Sequence, residues 1–321
     1  MRYIIGILWI IFVIPALLTP TTAEAQTYDF RVAADGSGDF TTVQEAINAV
    51  PDFRKNRTAI FIAPGVYKEK LVLAASKTNV SFIGSSAETT KLTFDDFASK
   101  KNRFGEEMGT TGSSSFFVFG DGFHAENITF ENSSGPVGQA VAVRITADQV
   151  SFFNCRFLGY QDTLYPQGEN SHQYYQSCYI EGTVDFIFGW ATAVFDNCTV
   201  HCRDKGYITA PATNPGRPYG FVFLDCRITG DAPENSFYLG RPWRDYGRSV
   251  FIRCELGEHI RPEGWHNWNK PHAEQTAFFA EYRNTGPGAG HQRVAWAKQL
   301  TEDEVKNYIP ETILGDWIHD R

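Results

Sequence analysis

The 321 residues carry 29 Lys and Arg against 37 Asp and Glu, a formal net charge of −8. That balance argues against a nucleic-acid or polyanion-binding surface and for a neutral or weakly charged partner. Aromatics at 15%, with 26 Phe, mark an otherwise ordinary globular composition, and six cysteines allow 15 disulfide pairings among which sequence cannot choose.

The chain opens on an address. Arg2 precedes an apolar run from Ile4 to Leu18, and Ala23-Glu24-Ala25 has the small-x-small pattern of a secretory cleavage site. The run is shorter than the ~20 residues of a spanning helix. Residues 1–25 are therefore read as a signal peptide and 26–321 as one elongated domain, secreted to the extracellular space or periplasm without a membrane anchor. After the turn-rich Asp35–Asp39, Thr42-Val43-Gln44-Glu45 has capping-box spacing. It predicts a short helix with Val43, Ala46, Ile47 and Val50 on one face, ended before Pro51 and suited to cap a repeat array. Ile60-Phe61-Ile62 and Leu71-Val72-Leu73 read as strands joined through Pro64-Gly65-Val66-Tyr67.

From about residue 78 a pattern recurs. It runs from Asn79-Val80-Ser81-Phe82-Ile83 and Asn127-Ile128-Thr129-Phe130 through Val150-Ser151-Phe152-Phe153-Asn154-Cys155, and Cys returns at 178, 198, 226 and 254. Short Val, Ile and Phe-rich strands punctuated by Gly, Asn and Asp show neither a leucine consensus nor a 3.6-residue period. They predict an all-β fold, a right-handed parallel β-helix, or solenoid, whose equivalent residues stack ~4.8 Å apart. The recurring cysteines become an inward ladder of buried, inert thiols. Gly264-Trp265-His266-Asn267-Trp268 and Asn284–Gly288 read as loops, with Trp265 and Trp268 as packing residues. Thr301-Glu302-Asp303-Glu304 opens a final helix that stops near Pro310, in a helical tail packed along the outside of the coils.

Two acids keep the beat of the repeat. Asp162, in Gln161-Asp162-Thr163-Leu164-Tyr165, and Asp185, in Gly182-Thr183-Val184-Asp185-Phe186-Ile187-Phe188-Gly189, lie 23 residues apart, as do Cys155 and Cys178 upstream of them. Successive coils then bring the carboxylates together, where one pKa should rise and the other fall, as acid and nucleophile roles require. Gln139 and Gln161, 22 residues apart, offer neutral amide donors to a developing oxyanion, and Arg241, in Leu239-Gly240-Arg241-Pro242-Trp243, can hold one aspartate ionised.

At these motifs, together with Gly138-Gln139-Ala140-Val141-Ala142, the sequence resembles the pectin methylesterase (pectinesterase) family, and the resemblance covers about residues 31–317. It implies a carboxylic-ester hydrolase that demethylesterifies pectin, that is methylated homogalacturonan, and releases methanol. Asp185 would be the nucleophile, Asp162 the acid and then base, Gln139 and Gln161 the oxyanion site, and Arg241 the group that orients Asp185. Trp243, Tyr165 and Phe188 would offer apolar faces to sugar rings, and Thr110 a polar contact. The expected partner is the polysaccharide, with no nucleic acid, no cofactor and no metal, and the protein is expected to act as a monomer. Tyr207-Ile208-Thr209-Ala210 continues with Pro211-Ala212-Thr213 where many relatives have Gln-Gly-Arg, which bears on one groove wall and the preferred methylation pattern.

Three other readings stand beside this one: a glycoside hydrolase or lyase on a similar solenoid, a non-pectin esterase or thioesterase, and a non-catalytic carbohydrate-binding descendant. A retaining glycosidase also holds two acids ~5–5.5 Å apart, whereas paired glutamines favour an acyl oxyanion. Cys198-x-x-His201-Cys202 lacks a full ligand set for a metal. His124, His172 and His201 show no triad pattern.

Overall fold

The computed structural model describes residues 1, 27–290 and 292–319, so the signal-peptide reading lies outside the described residues. Three strand-bearing faces recur along the chain, and neighbouring coils pair in parallel. The first face is an 11-stranded sheet running from Phe30–Val32 through Thr58–Ile62, Val80–Gly84, Val150–Phe153, Thr192–Asp196 and Arg248–Ile252 to Lys298–Gln299. The second holds Gly65–Lys68, Thr90–Phe94, Thr129–Asn132 and Arg156–Leu158; the third holds Leu71–Leu73, Phe116–Val118, Val143–Ile145, Leu164–Pro166 and Phe237–Gly240. Two long strands, Tyr179–Gly189 and Thr199–Pro211, run round the corner between second and third faces and join them into one sheet. The fold is a parallel β-helix.

The interior follows from the period-2 geometry of strands: alternate side chains point in, and the inward residues of successive coils stack. Tyr175, Phe195, Phe223 and Phe251 form one such column, with ring centroids 4.7, 4.5 and 4.3 Å apart and planes within 14°. Cys155, Cys178, Cys198, Cys226 and Cys254 form another, all buried and all free thiols. Burial pushes the Cys155 thiol up to about 12, so it is protonated and inert at neutral pH. Cys198 and Cys202 belong to this interior, whereas the intervening His201 points out to Thr229 and Asp231, so the three cannot converge on one ion.

Corners are made by residues in the left-handed region. Asn127, Asn154, Ser177, Asn197, Asp225 and Arg253 all have φ between 49° and 57° where the chain leaves the first face. Asparagine and aspartate tolerate that region best among residues with a side chain, and Asn154 Nδ2 donates to Asn127 Oδ1 at 2.6 Å along the resulting ladder.

A helix caps the N-terminal end, and the C-terminal tail packs along the side. The helix Val43–Ala49 buries Val43, Ala46 and Ile47 over the N-terminal coil, and the Thr42 hydroxyl accepts from Glu45 N at 3.3 Å. In the tail, Thr301 and Glu304 complete a capping box, but the helix spans only Glu302–Val305. Pro310 opens a second helix, Pro310–Leu314, instead of ending the first, because a missing N–H costs nothing at a first helical position. Tyr308, Ile313, Leu314 and Ile318 pack on Val194, Val222 and Ile252, outside the first face.

Candidate active site

Asp162 and Asp185 occupy the corner between second and third faces, in adjacent coils. Leu164 pairs with Ile187, and Asp162 N donates to Val184 O at 3.1 Å, so the 23-residue spacing is the register itself. Both aspartates are left-handed, with φ of 66° and 52°. At Asp185 the strand Tyr179–Gly189 breaks register with its neighbour as it rounds the corner. The same local chemistry that turns the chain elsewhere here aims two acids at the outer wall.

Around them a cleft of about 450 Å³ is lined by Thr110, Gln139, Gln161, Asp162, Tyr165, Asp185, Phe188, Arg241 and Trp243, which are all nine residues singled out from the sequence. Gln139 and Gln161 bridge across adjacent coils, with Ala140 N donating to Gln161 O at 3.1 Å. Tyr165 stacks on Phe188 with centroids 4.0 Å apart, and Trp243 closes on Phe188 at 5.7 Å.

Arg241 grips Asp185 with two parallel bonds, Nε to Oδ1 at 2.8 Å and Nη2 to Oδ2 at 2.7 Å. Its guanidinium is sandwiched between the rings of Tyr207 and Trp268, 3.8 and 3.7 Å from their centroids. Stacking and bidentate bonding together fix the plane of the fork. Asp162 has no such partner among the described residues. Burial, then the neighbouring Asp185 charge, hold its carboxyl well above the usual carboxylate range, with Arg241 only partly offsetting them. Burial raises Asp185 as well, and the Arg241 guanidinium opposes that rise without reversing it. The expected fall of one partner is therefore not what the structure has: both move up, because desolvation outweighs the ion pair, and Asp162 moves further.

Several lining residues had no sequence signal. Trp268, expected to be packing, lines the cleft and covers Arg241; Trp265, one turn earlier, is buried in the core as expected. Thr111 also lines the cleft, and Trp190 packs 4.6 Å from Trp243. The segment carrying Thr110 and Thr111 is pinned by buried Asn132, whose Nδ2 reaches Asp96 O, Ser113 O and Val141 O at 2.9, 3.2 and 3.0 Å. Ala98 N then donates to Gln139 O at 2.9 Å, tying that segment to the glutamine pair.

A sequence model of the family described as Pectinesterase matches residues 29–316. Among curated proteins, "Pectinesterase 31" of Arabidopsis thaliana is 44% identical over 292 residues, 89% of this chain and 92% of the relative. Among solved structures, a pectin methylesterase from carrot superposes with a TM-score of 0.83 at 37% identity, covering 91% of this chain and 95% of that one. A pectin methylesterase solved in complex with a hexasaccharide superposes at 0.80 with 29% identity, covering 91% and 98%.

Proposed function

The chain belongs to the pectinesterase family, and from that premise we propose that it removes methyl groups from pectin by attack of Asp185 on the ester carbonyl of a galacturonate unit. A carboxylate oxygen of Asp185 adds to that carbon, and the carbonyl oxygen becomes an oxyanion facing the Gln139 and Gln161 amides. Collapse breaks the bond to the methoxy oxygen, which takes the Asp162 proton and leaves as methanol. The product is an anhydride between Asp185 and the sugar. Asp162, now ionised, takes one proton from water as the water attacks the sugar carbonyl, which restores protonated Asp162 and the Asp185 carboxylate and frees the galacturonate acid, whose own proton passes to solvent.

One observation carries this assignment of roles: two in-register aspartates share one cleft, yet only Asp185 is gripped by an arginine. The gripped acid is the better nucleophile, and the ungripped one, pushed well up by burial and by its neighbour, keeps the proton that methanol needs. Tyr165, Phe188 and Trp243 give the sugar chain an apolar wall, and Thr110 a polar contact. The matured protein is proposed to meet its polymer outside the cell membrane, as a monomer.

The test is methanol release from highly esterified pectin with polymer length followed in parallel. The wild type should release methanol at constant length, and Asp185→Asn should lose roughly 10⁴-fold in kcat. Chain cleavage without methanol would assign the cleft to a glycosidase or lyase.

A further inference from the structure

The first face carries a second set of reactive side chains, on a different sheet from the corner that holds the aspartates. His124, on the strand His124–Glu126, pairs in register with Ser151 of Val150–Phe153. Its Nδ1 lies 2.7 Å from Ser151 Oγ, and its Nε2 lies 2.8 Å from Glu126 Oε1. No triad pattern is visible around His124 in the sequence, because the serine stands 27 residues away and arrives only when neighbouring coils align.

These bonds fix the state of the ring. An ionised carboxylate can only accept, so Nε2 carries the hydrogen that bonds Glu126. Nδ1 then holds the lone pair, and the Ser151 hydroxyl donates to it. That is the tautomer a general base needs, and a hydroxyl, an imidazole and a carboxylate joined in this order make an activated serine. The His124 ring is buried, with 4% of its side chain exposed, so its orientation is held by packing as well as by its two partners.

Polar side chains stacked only to satisfy the fold need no access to solvent, yet Ser151 opens on a pocket of about 260 Å³ lined also by Lys55, Arg57, Asn79, Gln149 and Trp317. Two of these residues are cations and none is an acid. Arg57 is seated beside the histidine: its Nη1 donates to Ser81 Oγ at 3.1 Å and to Gly122 O at 3.0 Å, and Ser81 is the partner of His124 in the preceding coil. The pocket thus joins a nucleophile to a positive field that suits a developing oxyanion, in a space that admits a short acyl chain.

We propose that Ser151, His124 and Glu126 form a second esterase centre, independent of the aspartate cleft, that hydrolyses short-chain acyl esters of anionic alcohols. Ser151 Oγ bonds to the acyl carbon while its proton passes to His124 Nδ1, and the carbonyl oxygen becomes an oxyanion in the field of Lys55 and Arg57. Collapse breaks the bond to the alcohol oxygen, which takes the proton from Nδ1 and leaves an acyl group on Ser151. Water then adds to the acyl carbon as Nδ1 takes one of its protons; the bond to Oγ breaks, Oγ recovers that proton, and the carboxylic acid departs. Glu126 accepts from Nε2 throughout and stabilises the imidazolium.

The experiment follows hydrolysis of 4-acetoxybenzoate and of neutral phenyl acetate in an Asp185→Asn background, where the methylesterase is silenced. That protein should hydrolyse 4-acetoxybenzoate at the wild-type rate and several-fold faster than phenyl acetate, adding Ser151→Ala should cost about a hundredfold in kcat, and adding Glu126→Gln about tenfold by allowing the other tautomer. In the wild-type protein, where no substitution perturbs folding, a short-chain alkyl fluorophosphonate should leave its phosphonyl group on Ser151, read by peptide mass mapping. Hydrolysis that survives Ser151→Ala, or a fluorophosphonate that leaves Ser151 unmodified, overturns the proposal, and equal rates on the two esters overturn the assignment to anionic alcohols. Loss of 4-acetoxybenzoate hydrolysis in Asp185→Asn assigns that activity to the cleft and overturns the second centre while leaving the methylesterase reading in place; a wild type that releases no methanol from pectin overturns that reading and leaves this one standing.

Discussion

Among the described residues two buried arginine–carboxylate pairs stand out, and they differ in what is left over once the pair has formed. At the C-terminal end, Arg293 bonds both oxygens of Glu281 at 2.7 and 3.1 Å, and Trp265 Nε1 and Asn284 Nδ2 add to the same oxygens at 3.3 and 3.1 Å. The remaining Arg293 donors reach the carbonyls of Arg261, Pro262 and Gly288. At the cleft, Arg241 bonds both oxygens of Asp185, and no further protein donor touches them among the described residues. The first pair is saturated and closes the end of the solenoid. In the second, the Asp185 oxygens keep lone pairs free beside open space. Identical chemistry serves fold or reaction according to whether the last hydrogen bonds are made inside the protein.

Breaking the saturated pair should have the largest consequence for stability. Arg293→Met leaves Glu281 buried with half its donors, and loss of one partner from a buried pair costs about 3–5 kcal/mol. Chemical denaturation should show that loss, while methanol release per folded molecule at low temperature should stay within about twofold. A stability change near zero would mean that the two pairs do not differ as described.

Arg241→Met should reverse the emphasis. We expect kcat/KM to fall roughly 10²-fold, as for loss of one preorganised electrostatic contact, with a smaller loss of stability than for Arg293→Met because Asp185 can accept a proton instead of remaining an unpaired charge. The guanidinium opposes the upward push of burial on Asp185. Without it the acid limb of the pH–rate profile should move to higher pH, and a limb that stays in place would detach Arg241 from the nucleophile.

Asp162→Asn should have the smallest effect on the fold, and a favourable one. A carboxyl whose pKa is raised on folding is destabilising above its unfolded value, so stability declines as pH climbs from ~3.9 toward the folded value and is unaffected below it. Asparagine removes that decline. The variant should be inactive yet melt about 2–4 °C higher at neutral pH, with the difference vanishing in acid.

What the sequence made legible was whatever kept step with the coil. The cysteine column, the inward phenylalanines and the two aspartates share one period, so spacing alone places them in ladders and brings the acids together. Trp268, Thr111 and Trp190 keep no period. Trp268 reaches Arg241 from a loop held by Lys270 Nζ on Trp243 O at 3.0 Å and by Asn267 on Glu274 at 2.7 Å, contacts that join segments unrelated in spacing. The upward shift of Asp185 was equally out of reach, since burial is a property of the assembled corner. Pairing with Arg241 was visible in the motif; the dehydration that outweighs it was not.

The left-handed backbone of Asp162 and Asp185 carries an evolutionary consequence. Few residues fit such a corner without strain, and asparagine is foremost among them. One nucleotide change converts either aspartate into a residue that, under the proposed mechanism, would silence the chemistry while leaving the winding intact, and at residue 162 the change is expected to make the winding firmer. Duplicated copies of a gene like this one can therefore drift into durable, catalytically mute scaffolds without passing through an unfolded ancestor.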